Sequence, residues 1–96
     1  MYKLFLSLIL LFFSLNNFSQ SKEECFSNLS IFAEYAKVKN YDAAYQPWLK
    51  VKADCPDLNP AIYVYGERIL KDFIKKSTGN DKEVYKQDLL NLYDQW

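Results

Sequence analysis

The chain has no histidine, two glycines, two cysteines and one methionine among its 96 residues. Each shortage excludes something. Without histidine, the usual general base near neutral pH is missing, and with it His-containing triads and metal sites. With only Gly66 and Gly79 there is no glycine-rich loop to cradle a phosphate. Cys25 and Cys55 lie far apart and lack histidine partners, so they make a poor zinc site. The carboxylates are scattered among lysines, and spacing alone places no pair of them in a cleft. Neither an enzyme nor a cofactor is expected. Charge of one sign is lacking too, because 12 bases balance 12 acids. That balance gives no electrostatic footprint for nucleic acid and no polybasic surface for anionic lipid.

What is present begins at the N-terminus. Lys3 precedes the apolar run Leu4–Leu15, which gives way to the polar segment Asn16–Ser21. One positive charge, a short apolar stretch and a small-residue exit form the layout of a secretory signal peptide. A membrane-spanning helix needs about 20 apolar residues, so this run is too short to span. An uncleaved anchor or an ordinary buried helix is the competing reading. A lipid-modified cysteine is disfavoured, since Lys22-Glu23-Glu24 stands before Cys25 instead of small apolar residues. Residues 1–19 are assigned to the signal, with cleavage expected after Ser19 and the nearest alternative after Gln20. The remainder, 20–96, is expected to act in the periplasm, the cell envelope or the extracellular space, with no stable membrane span.

Loss of Lys3 tips the balance to one net negative charge and leaves a single small domain. A core that small is marginal without a staple. Seven of the eight tyrosines and both tryptophans fall in this part, and their area offsets some of the deficit.

The pattern is all-α. Ser21 with Glu24 is a capping-box pair that starts a helix at about Lys22. Cys25, Leu29, Phe32 and Ala36 make its stripe, widened by Phe26, Ala33 and Tyr35. After a turn at Lys39-Asn40, a second helix is expected from about Tyr41 to Ala53, capped by Asn40 or Asp42. Pro47 lies inside it and removes the hydrogen bond to the Ala43 carbonyl. Asn59-Pro60 starts a third helix with the stripe Ile62, Tyr65, Ile69 and Phe73, ending near Gly79. Asn80 with Glu83 is expected to cap a fourth, with the stripe Tyr85, Leu89, Leu92 and Trp96. The helical hairpins are thus about 22–53 and 60–96. Glu23-Glu24 serves the first helix start, and the mixed-sign pairs Lys71-Asp72, Lys75-Lys76 and Asp81-Lys82 read as a solvated face. Most aromatics at helical spacing are core, and Trp48 is a core anchor first.

Between Asn40 and Pro56, Ala44, Trp48 and Val51 stand four and three residues apart on one helix face, and Pro56 follows as a stop. With Tyr35 and Tyr41 before them, these residues resemble a tetratricopeptide-repeat (TPR) unit of about 34 residues. Tyr65-Gly66 looks like the leucine-glycine pair of a second unit. Phe32 departs from the pattern, standing where the family has glycine or a small residue, and so does Pro47. The exported form with Tyr-Asp-Ala-Ala-Tyr-Gln-Pro-Trp is similar to Bacteroidota envelope proteins of this family. The resemblance implies antiparallel helix pairs stacked as a right-handed α-solenoid fragment that binds another protein or peptide. It also implies a concave groove lined by the first helix of each unit. Groove candidates are then Ala33 and Lys37, with Tyr63, Glu67 and Lys71 from the third helix. A structural subunit of an envelope assembly and a small disulfide-stapled secreted domain are the other readings.

Two further expectations follow. Cys25 near the start of one helix and Cys55 just past the end of its antiparallel partner share one end of the hairpin, so export favours a Cys25–Cys55 disulfide. Closing a loop of about 30 residues would stabilise the fold by roughly 3–4 kcal/mol in the chain-entropy model. Two buried free thiols are the alternative. The fourth stripe is still in phase at Trp96, and repeat arrays usually need about three or more units. Further helices or a partner are therefore expected to cover this end, unless Trp96 folds back onto the third helix.

Overall fold

The computed structural model describes residues 22–96. The signal peptide assigned to 1–19, its cleavage point and the Ser21 half of the capping box lie outside the described residues. Among the described residues the regular elements are four α-helices and no strand. They are α1 (22–37), α2 (Tyr41–Asp54), α3 (Ala61–Lys76) and α4 (Gly79–Gln95).

The α1–α2 turn is closed by backbone bonds. Lys39 N–H donates to Ala36 O at 3.0 Å and Asn40 N–H to Tyr35 O at 2.9 Å. This double closure requires a left-handed residue, and Lys39 takes that role at φ 63° where glycine is usual. Asn40 then caps α2, its Oδ1 accepting from Ala43 N–H at 3.4 Å. The helix runs unbroken through Pro47 and ends as Cys55 N–H donates to Val51 O at 2.8 Å. Asn59 Oδ1 accepts from Ala61 N–H at 2.8 Å and opens α3.

The α3–α4 junction differs from the sequence expectation. Helix α3 stops at Lys76 rather than near Gly79, because Ser77 and Thr78 are both extended. Gly79, at φ 62°, opens α4 instead of closing α3. Asn80 and Glu83 therefore fall inside α4, and Glu83 pairs with Lys86 at 3.5 Å. The link is two residues long, Ser77 and Thr78.

Helix α3 packs against both α2 and α4. Phe32 and Ala36 from α1, Ala44, Trp48 and Val51 from α2, Ile62, Tyr63, Ile69 and Leu70 from α3, and Leu92 from α4 form one buried cluster. Phe32, the departure from the repeat pattern, is fully buried there and meets Tyr65 edge-on at 6.4 Å. Trp48 joins the two hairpins. Its indole Nε1–H donates to the Ile62 carbonyl at 2.7 Å, and its ring lies where a side chain at position 66 would be. A Cβ added to Gly66 would come within 2.6 Å of Trp48 Cζ2, so this interior helical glycine permits the close approach. Tyr45, Phe73 and Tyr85 close the core beyond it, with ring centroids 4.7 and 5.2 Å apart for Tyr45–Phe73 and Phe73–Tyr85. Burial raises the Tyr45 phenol above its ordinary pKa, with Tyr85 and Asp88 adding to the effect.

Three expected core positions lie elsewhere. Phe26 is 52% exposed and Tyr35 41%, so neither widens the α1 stripe inward. Trp96 is 54% exposed although Leu92, one turn earlier, is fully buried.

Candidate functional site

The disulfide fixes one end of the molecule. Cys25 and Cys55 are bonded, their Cα atoms 6.3 Å apart, tying the start of α1 to the residue after α2. Next to it Pro56 begins the α2–α3 loop, and an open cleft forms where this loop meets the last turn of α4. One hollow of about 290 Å³ is lined by Pro56, Asp57, Asn59, Pro60, Tyr63, Gln95 and Trp96. Pro56 and Gln95 also line a second hollow of about 360 Å³ that continues over Leu49, Lys52 and Ala53 of α2.

An aromatic series forms one wall. The Tyr63 and Trp96 rings are 6.0 Å apart and inclined by 21°, and the Trp96 and Tyr93 rings 6.5 Å apart and inclined by 14°. Near-parallel rings at such separations are offset rather than eclipsed. Tyr93 and Trp96 are both substantially exposed, whereas Tyr63 is buried beneath the series. Trp96 thus folds back onto α3, as the alternative reading of the sequence has it.

The groove candidates are divided between two places. Along α3, Tyr63 stacks on Trp96 of α4, and Lys71 donates to Glu67 Oε1 at 2.8 Å. The Glu67 carboxylate holds the Lys71 ammonium above its ordinary pKa, with a smaller contribution from Tyr93. These three α3 residues therefore border α4. On α1, Ala33 is half-buried, and exposed Lys37 pairs with Glu34 at 3.5 Å. The α3 residue that meets α1 is Tyr65, which stacks edge-on against Phe32 and lies 5.4 Å beneath the Arg68 guanidinium. Among the repeat-packing residues, Ala44, Trp48 and Val51 are buried, Tyr41 is half-buried, and Pro56 is exposed at the cleft.

A different surface emerges on α1. Ile31 and Tyr35 stand four residues apart on one side of the helix, and Val38 follows directly after its last residue. They are 43%, 41% and 73% exposed. Two apolar stripes therefore run along α1, one buried through Cys25, Phe32 and Ala36, the other facing outward. Of Ile31, Tyr35 and Val38, only Tyr35 belongs to the stripe that the sequence predicts.

Among the described residues no group of three or more His, Cys, Asp or Glu could hold a metal ion, and no helix is long and apolar enough to cross a membrane. The chain matches no family model, no curated protein and no solved structure.

Proposed function

We propose that the protein is an exported TPR-like scaffold that binds another protein or peptide in the cell envelope. The outward stripe Ile31–Tyr35–Val38 carries the reading, since a contiguous apolar face on a small domain marks an interaction surface. A partner helix laid along it would find anchors at one helical spacing. The two-residue α3–α4 link and the Trp48–Gly66 contact between hairpins favour a tetratricopeptide-like stack. The cysteine bridge, suited to an oxidising compartment, favours export.

The test is a pair of variants, Tyr35→Glu and Val38→Glu, placed on the exposed stripe. Both should keep the helical spectrum and thermal midpoint of the parent yet lose the protein that co-purifies from the envelope. Retention of that protein by both variants would refute the surface. The same bridge also favours a second reading, a disulfide-stapled domain that works alone. That reading predicts a stable monomer with no co-purifying protein.

A further inference from the structure

The cleft beside the disulfide has a lining of mixed chemistry. Pro56, Pro60, Tyr63 and Trp96 give it apolar and aromatic surface, and Asp57 supplies the only side-chain carboxylate in that lining. Asp54 and Asp94, next in sequence to the lining residues Ala53 and Gln95, are exposed as well. Elsewhere the surface acids Glu34, Glu67, Asp72 and Glu83 each pair with a lysine, but none of the ion pairs among the described residues involves Asp54, Asp57 or Asp94. Lys52, which lines the adjoining hollow, and Lys71 of α3 are engaged. Lys52 sits over the Trp48 ring at 5.6 Å, and Lys71 bonds Glu67.

The exposed Trp96 ring, in one lining with the unpaired Asp57 carboxylate, is complementary to one class of group, a planar cation. Guanidinium fits better than ammonium, because it is weakly hydrated, stacks flat on a ring and offers a fork of donors to a carboxylate. Arg68 over Tyr65 shows the same stacking within this molecule. A hollow of about 290 Å³ has room for one long side chain, not for a folded element.

We infer that this cleft captures an arginine side chain of the partner polypeptide, stacked on Trp96 and paired with Asp57. The inference deepens the partner-binding reading and rests on it, but uses a surface separate from the α1 stripe. The disulfide ties Cys55, the neighbour of the lining residue Pro56, to the start of α1.

The two indole N–H resonances report separately, since Trp48 is buried and hydrogen-bonded while Trp96 lines the cleft. The disulfide-bonded chain is titrated with acetyl-Gly-Arg-Gly-amide and with the same peptide carrying citrulline, a neutral isostere. The expected result is a saturable shift of the Trp96 signal alone, with binding about 5- to 20-fold weaker for citrulline and a comparable loss in Asp57→Asn. No Trp96 shift with the arginine peptide, or equal binding of both peptides, overturns the site. If the site is overturned while Tyr35→Glu still releases the co-purifying protein, the partner-binding reading survives and only the arginine site is lost.

Discussion

Replacing Gly66 by alanine should destabilise this protein, the reverse of the ordinary effect of that change in a helix. Gly66 lies inside α3, where alanine is intrinsically better by about 1 kcal/mol. The added methyl, however, would sit 2.6 Å from Trp48 Cζ2 and 2.8 Å from both Cε2 and Nε1. The indole cannot retreat easily, being 2% exposed and bonded to the Ile62 carbonyl. Overpacking of this kind costs about 1–3 kcal/mol. If the indole shifts enough to leave its N–H buried and unpaired, about 1–3 kcal/mol more is lost. The balance is a net destabilisation of about 0–2 kcal/mol if the indole keeps its bond and about 1–5 kcal/mol if it loses it, and each 1 kcal/mol lowers Tm by roughly 4–8 °C for a domain of this size. Urea unfolding followed by circular dichroism measures it. Trp48→Leu provides the control, because it removes the atoms that clash. In that background Gly66→Ala should become neutral or stabilising by up to about 1 kcal/mol. Stabilisation by Gly66→Ala in the parent would refute the close-approach argument.

Lys39→Gly should stabilise the chain by about 0.5–1 kcal/mol, since lysine at φ 63° carries backbone strain that glycine lacks; chemical denaturation reads the change. Reduction of Cys25–Cys55, or the double change Cys25→Ala with Cys55→Ala, should lower stability by about 2–4 kcal/mol, seen as a fall in the urea midpoint. The half-buried Tyr45 phenol should ionise above its ordinary pKa in an absorbance titration, and Tyr45→Phe should remove that late step. With its folded pKa raised, Tyr45 leaves stability intact below its ordinary pKa of 10.0, and stability declines as pH rises above that value.

Much of the first hairpin was legible because its signals agree. The Ala44–Trp48–Val51 spacing, the Asn40 cap and the stop at Pro56 all point to one helix, and the structure has it at Tyr41–Asp54. The α3–α4 junction was not legible, because a glycine after a helical stripe reads as a terminator. Gly79 instead follows two extended residues and begins the next helix. Tyr35 and Phe26 were misread for a related reason. Apolar residues at helical spacing do not reveal which of two adjoining stripes meets the core, and that is settled only by where α2 and α3 pack. The cleft beside the disulfide left a faint trace at most. Trp96 is in phase with Leu92, but its stacking on Tyr63 depends on the antiparallel arrangement of α3 and α4, which brings the last turn of one beside the first turn of the other. The glycine at 66 was visible as part of the Tyr65-Gly66 pair, whereas the indole resting on it required coordinates.

The central claim is that the outward face of α1 contacts a protein partner, and photocrosslinking from position 35 tests it most directly. A photoreactive phenylalanine derivative replaces Tyr35 in one variant and Lys86, on exposed α4, in a control. Irradiation in the living cell should give one discrete heavier adduct from position 35 and none from position 86. No adduct at position 35, or the same adducts from both positions, would contradict it.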